Sequence, residues 1–205
     1  RILGEPHYLG EPLAEDASVD CGWGKLIFAH TFASNERLVA AIEEEQEGRR
    51  NLALYLRDPH VVVAMAPQKL FLDPSHTYRL SLAEYLPGRV LPAGFRIRRL
   101  RKRADADAIP RLLASCRMVS ADSDFIWRHR KSRALTYFVA EDAATGRALG
   151  TVMGVDHAEA FGDPENGSSM WCLAVDPQAP QPGIGRALVA HIADHYSARG
   201  RAFMD

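Results

Sequence analysis

Three cysteines in 205 residues, Cys21, Cys116 and Cys172, are few, scattered and odd in number. That excludes a disulfide framework, and without any CxxC spacing no zinc site is suggested. Neither sign of charge is in surplus: 25 Lys and Arg stand against 26 Asp and Glu, a net charge of -1. No electrostatic pull toward nucleic acid or an anionic membrane follows from such a balance. No apolar run approaches the roughly 20 residues that span a bilayer, and no secretory leader is visible. Solenoid repeats and low-complexity tracts are missing as well. What remains, 47% hydrophobic and 25% charged residues, is the composition of a globular protein, read here as cytoplasmic. The chain opens on Arg1 and stops at Asp205 within what reads as a strand just starting, so a longer parent protein is expected.

Two regions differ in pattern. Residues 1–20 are rich in Gly, Pro and acids and are expected to be irregular. Residues 25–32 read as a strand, and Ser34 caps a helix expected to run to about Glu47 with Leu38 and Ile42 on one face. Residues 51–56 and 60–65 read as two further strands, giving a β-α-β-β module over 1–93. Residues 67–93 are broken by prolines and read as a connection with a short ordered segment near 77–85. The second region, 94–205, gives a strand at 95–100 and a helix capped by Asp105 that buries Ile109, Leu112 and Leu113. A second helical stretch is expected at 122–133, and a hairpin over 135–155 turning at 144–147. A loop at 158–168 follows, then a buried strand at 170–175 and a helix from about Gly183 to Gly200. The basic run 96–103 is read as a solvated strand edge rather than a phosphate patch.

The chemistry concentrates in the run 173–188, LAVDPQAPQPGIGRAL. A buried strand passes through a glycine-bearing loop straight into an amphipathic helix. A helix N-terminus carries unpaired N–H groups and positive potential, and glycines let a ligand approach the backbone closely. Gly183, Ile184, Gly185 and Arg186 therefore form a candidate pyrophosphate site, although a bare strand-to-helix turn has the same look. A Walker loop is excluded because Arg186-Ala187 follow Gly185, and a dinucleotide fingerprint because Leu188 stands where its third glycine belongs.

With that motif, the order β-α-α-β-β-β-α-β over about 94–205 resembles the GNAT superfamily of N-acetyltransferases. The Leu-Ala-Val-Asp-Pro strand end and the Gly-Ile-Gly-Arg-Ala-Leu helix start are similar to the family's acetyl-CoA motif. The resemblance implies an α/β fold of the α+β kind. Its mixed, mostly antiparallel sheet is flanked by helices, incomplete at its C-terminus and preceded by the small module. It implies acetyl-CoA as cosubstrate, with its pantetheine arm along Leu173, Ala174 and Val175. The pyrophosphate would lie over Gln181, Gly183, Ile184, Gly185 and Arg186, and Leu188, Ile192 and Tyr196 would face the sheet. Pro180 stands where the family carries Gln or Arg, and with Pro182 it removes two N–H groups from the loop. The segments LRDPHVVV (56–63), LDPSHTYR (72–79) and WCLAVDPQAP (171–180) are also similar to bacterial N-acetylglutaminylglutamine synthetases. Those fuse a GNAT-like region to an ATP-grasp ligase, which implies such a ligase as the continuation of this chain.

Acyl transfer to an amine needs a base, polarisation of the thioester oxygen and protonation of the leaving thiolate. The family's base is often a Glu near the start of the strand that holds the cofactor, where this chain has Ser168-Ser169. Glu159, Glu165 and His157 are the nearby alternatives, each also readable as an ordinary loop residue. Cys172 reads as core packing, and His191 with His195 as an exposed helical face rather than a metal pair. The functional expectation is an N-acetyltransferase acting on a small-molecule amine such as glutamine, with self-association open. The competing reading is a degenerate domain kept for ligand sensing or docking. The module 1–93 is expected to hold no second cofactor site, its element order suggesting a decayed copy of half the fold.

Overall fold

The computed structural model describes residues 14–45, 51–56, 58–73, 75–87 and 94–205. Residues 1–13, the last two of the expected first helix and the end of the connection at 88–93 lie outside them.

The first sheet has three strands. β1 (Ser18–Asp20) runs antiparallel to β2 (Gly24–Ile27), and β3 (Asn51–Leu54) lies parallel to β2 on its other side. Residues 18–20 are therefore paired rather than irregular. The β2–β3 crossover is α1 (Asn35–Glu43), started by the Ser34 hydroxyl accepting the Arg37 N–H at 3.3 Å. The strand expected over 25–32 stops at Ile27. Beyond it Thr31 accepts the Ala17 N–H and donates to the Phe28 carbonyl, local bonds that close a 3-10 turn in place of a ladder. The largest departure is at 60–65, expected as a strand and found as helix α2 (Pro59–Met65). Pro59 in the first turn has its φ preset and needs no N–H there, and Val62 is buried with Ile27, Leu38 and Val39. Tertiary burial overrides the β preference of three consecutive valines.

The second sheet has the order β4-β9-β8-β7-β6-β5. Its strands are β4 (Leu80–Ser81), β5 (Phe95–Arg99), β6 (Leu135–Asp142), β7 (Ala148–Asp156), β8 (Gly167–Val175) and β9 (Phe203–Met204). All neighbours are antiparallel except β8 and β9, which are joined through α6 (Ile184–Ala198). Helices α3 (Arg103–Ser115) and α4 (Ser123–Arg128) pack on one face and α6 on the other. The start of α3 is earlier than expected: Asp105 is not its cap but sits in the first turn, accepting the N–H groups of Arg101 and Lys102. α4 ends before 133, and the expected loop at 158–168 opens with α5 (His157–Phe161), capped by Asp156 and closed by left-handed Gly162.

α6 buries Ile184, Leu188, Ile192 and Tyr196 against the sheet, and β7 makes room for it with two glycines. A Cβ at Gly154 would stand 2.3 Å from the Tyr196 hydroxyl, and one at Gly150 would touch Ile184 and Leu188. His191 and His195 are not an exposed face. Both sit edge-on to the Phe138 ring, at centroid distances of 4.6 and 5.2 Å. In the basic run, Arg98 is half-buried in a bidentate pair with Asp105 and also holds Glu141.

The two sheets share one core. Ala17, Cys21, Leu26 and Phe28, on or beside the strands of the first, pack with Ile109 of α3, Phe125 and Ile126 of α4, and Tyr137 and Met153 of the second. β4, which comes from before residue 94, covers the outer edge of β9. Arg79 beside it binds Asp205 through two hydrogen bonds of 2.7 Å and lies over the Phe203 ring. The outer edge of β9 is thus paired from within the chain. Among the described residues no helix is long and apolar enough to cross a membrane.

Candidate active site

β8 is where regular structure breaks. Met153 opposes Trp171 and Thr151 opposes Ala174, so Cys172 and Leu173 together face Val152 alone. This is a β-bulge, and Cys172 takes its left-handed conformation with φ 53°. The extra residue changes which backbone groups point outward. Before the bulge, Ser168 and Met170 bond β9 and its neighbour Asp205: the Asp205 N–H donates to Ser168 and the Met170 N–H to Asp205. After it, the Asp176 N–H donates to Leu149, which by antiparallel alternation gives the backbone groups of Ala174 to β7. Leu173 and Val175 consequently present theirs to the opposite edge, which bears no strand among the described residues. The Cys116 thiol meets it, donating to the Val175 carbonyl at 3.3 Å. Of the three residues expected along the pantetheine arm, Leu173 and Val175 turn their groups to this edge, the Val175 carbonyl already accepting from Cys116, and Ala174 does not.

The loop 176–182 leads from that edge to the start of α6. Asp176 folds it by accepting the N–H of Gln178, and Arg147 pairs with Asp176 at 3.1 Å. Gly183 ends it in the left-handed region with φ 82°, which a side chain would strain. The first helical bond is from the Ala187 N–H to the Gly183 carbonyl at 3.0 Å, leaving the N–H groups of Ile184, Gly185 and Arg186 unpaired within the helix. Gly185 is uncrowded: a Cβ there would meet only Val175, at 3.6 Å. Packing does not demand a glycine at 185, whereas an arriving anion would use the space. Arg186 is exposed at the same helix end. Gln181 is turned away, its side-chain amide donating to Asp142 at 2.7 Å.

The three candidate bases do not converge on this cleft equally. Glu159 is held by Arg133 and Arg199 at the last turn of α6, about 22 Å from Gly183 by helix rise. Glu165 is exposed and lies 3.8 Å from Arg79. His157 is buried, and its Nε2 is 2.9 Å from the Ser169 hydroxyl on β8, just ahead of the bulge. Cys172 is no nucleophile: burial pushes its thiol up to about 12. It lines a narrow cavity with Trp23, Ser120, Tyr137, Thr151 and Met153, in which Trp23 Nε1 and the Tyr137 hydroxyl have no partner. Sequence reasoning missed this cavity because Trp23 comes from the turn between β1 and β2, far from the others in sequence.

Residues 106–204 match the model of the acetyltransferase (GNAT) family. No curated protein matches the chain. Among solved structures, a protein from Drosophila has a similar fold over 89% of this chain and 61% of its own, at 15% identity and a TM-score of 0.54. A GCN5-related N-acetyltransferase from Ralstonia eutropha matches 55% of this chain and 82% of its own, at 21% identity and a TM-score of 0.42. The N-acetylglutamate synthase of Neisseria gonorrhoeae, solved with coenzyme A and N-acetyl-glutamate, matches 53% of this chain at 23% identity and a TM-score of 0.41. This chain covers only 24% of that synthase.

Proposed function

We propose that the chain, whose residues 106–204 match the acetyltransferase (GNAT) family model, is an acetyl-CoA-dependent N-acyltransferase acting on a small-molecule amine. The bulge in β8 carries the reading, because it turns Leu173 and Val175 toward an edge that bears no strand among the described residues, and that edge leads into the N-terminus of α6. Acetyl-CoA supplies an activated acyl thioester. Leu173 and Val175 bind its pantetheine arm as a strand would be bound, and Gly183, Ile184, Gly185 and Arg186 hold its pyrophosphate. The acceptor we propose is the α-amine of an amino-acid-like molecule, with glutamine or glutaminylglutamine suggested by the segments at 56–63, 72–79 and 171–180. A role in osmolyte synthesis, with an ATP-grasp ligase on the same polypeptide, belongs to that finer reading and rests on those segments alone.

One observation favours the sensing alternative. Pro180 and Pro182 offer no N–H, and the Gln181 side chain is engaged with Asp142, so the loop holds its anion with fewer donors than the family's. Calorimetric titration with acetyl-CoA and a thiol-release assay over a panel of primary amines led by L-glutamine separate the two. Binding with release supports the transferase; binding with no release from any amine supports the sensor.

A further inference from the structure

The narrow cavity beside the bulge is lined by two side chains whose polar ends the fold leaves unserved. Trp23 Nε1 and the Tyr137 hydroxyl are buried, and neither bonds any group among the described residues. Tyr137 is 4% exposed. A buried donor without a partner is destabilising, so two of them lining one small space need a reason. The other hydroxyls of the lining already donate elsewhere, Ser120 to the Ala121 carbonyl at 2.7 Å and Thr151 to the Phe138 carbonyl at 3.0 Å. The walls are otherwise apolar, built mainly from Ile109, Leu113, Ile126 and Met153.

Trp23 reaches the cavity from the turn between β1 and β2, which the Cys21 N–H closes by donating to the Gly24 carbonyl at 2.9 Å. Gly22 in that turn has φ 78°, and a Cβ on it would stand 2.5 Å from the Phe125 ring and 2.6 Å from Ala121. A glycine is therefore what lets the turn press against α4 and the residue that lines the cavity ahead of it. The indole packs on Trp171 with ring centroids 5.5 Å apart, and Trp171 is fixed by donating to the Ser169 hydroxyl at 2.8 Å.

Position ties the cavity to the cofactor edge. Cys172 lines it and belongs to the bulge, while its neighbour Leu173 turns to the edge assigned to the pantetheine arm. An arm that starts from a pyrophosphate on residues 183–186 meets Val175 before Leu173, which brings its thioester end to the bulge. The chemistry of the lining then limits what can enter. An indole N–H only donates, so it calls for an acceptor atom. Burial raises the Tyr137 hydroxyl far above its usual range, so it stays protonated and able to donate. No Lys, Arg, His, Asp or Glu lines the cavity among the described residues, so neither a carboxylate nor an ammonium would find a counter-charge. The room is that of about one water molecule. An uncharged oxygen at the end of a chain, accepting from both donors, meets all of these conditions.

We propose that Trp23 and Tyr137 bind the carbonyl oxygen of a carboxamide on the acceptor, and so select which amine is acylated. The proposal rests on the acyltransferase reading. It makes the turn between β1 and β2 part of the acceptor site, although the first sheet holds no cofactor site of its own.

The test measures thiol release by the full chain with L-glutamine and L-asparagine, each against its carboxylate counterpart and against L-norleucine. Wild type should favour the carboxamides by at least tenfold in kcat/KM. Trp23→Phe and Tyr137→Phe should each lose about tenfold with the carboxamides, keep the KM for acetyl-CoA and keep the rate with norleucine, so that the preference shrinks. In NMR with coenzyme A present, the Trp23 indole N–H resonance should shift when L-glutamine is added. A wild type that uses norleucine or glutamate as well as glutamine overturns the proposal without recourse to a variant, as does an indole resonance that stays in place. An equal loss with every amine also overturns it, because the two donors would then serve the thioester or the fold. A wild type with no turnover on any primary amine overturns the acyltransferase reading and the acceptor site with it.

Discussion

A single glycine carries much of the cofactor argument. At Gly185 a Cβ meets nothing closer than 3.6 Å, so Gly185→Glu should fold, yet it places a carboxylate among three N–H groups reserved for an anion. We expect acetyl-CoA affinity to drop by at least tenfold at unchanged melting temperature, and equal affinity in titration calorimetry would remove the pyrophosphate from this helix end. Gly154 is the opposite kind of glycine. Its Cβ would stand 2.3 Å from the Tyr196 hydroxyl and 2.7 Å from Ile192, so Gly154→Ala should cost about 1–3 kcal/mol by overpacking, seen as a lower denaturant midpoint. His195 makes the stability pH-dependent. Burial, then Arg199 and Arg99, lower its pKa from 6.5 to about 4, so the folded chain binds fewer protons than the unfolded one in that interval. Stability contributed by neutral His195 is complete above pH 6.5 and is lost as pH falls toward 4. Its Leu variant should show a flatter fall in melting temperature over that window, and a slope equal to wild type would assign the acid sensitivity elsewhere.

Among the elements, those with strong local signals were legible. The strand β8, the glycine start of α6 and its buried stripe Leu188, Ile192 and Tyr196 follow from residues adjacent in sequence, where periodicity and capping speak directly. Helix α2 was not legible, since Val61, Val62 and Val63 favour strand in isolation and only the neighbours of Val62 decide otherwise. The bulge escaped because nothing in Trp171-Cys172-Leu173 marks a left-handed residue; its register against β7 reveals it. For the same reason the contact of His157 with Ser169 could not be read: His157 was visible as a candidate, but Ser169 meets it only through folding. Glu141 shows the limit from another side. In sequence it is one acid in a hairpin, whereas in the fold hydrogen bonds from Arg96 and Arg98 outweigh its burial and hold its carboxyl down to about 2.

At the scale of the whole molecule, the question is whether the first sheet is an independent unit. A boundary at 93/94 is natural by composition, yet the core ignores it. Phe28, 1% exposed, lies against Phe161 at 4.2 Å and His157 at 4.8 Å, both from the far side of that boundary. Cys21 and Leu26 are as deeply buried in the same cluster, and β4 completes the second sheet. Two domains joined by a linker would melt separately, and a lesion in one would leave the other unmoved. A shared core instead unfolds as one unit. Phe28→Ala removes a large buried ring and should cost about 3–5 kcal/mol. Calorimetry on the full chain should show one transition displaced as a whole, with fluorescence of Trp171 on β8 and far-ultraviolet circular dichroism falling together. Two transitions, with only the lower displaced by the substitution, would show that the first sheet folds alone. The contact of Phe28 with His157 would then lie across a movable interface.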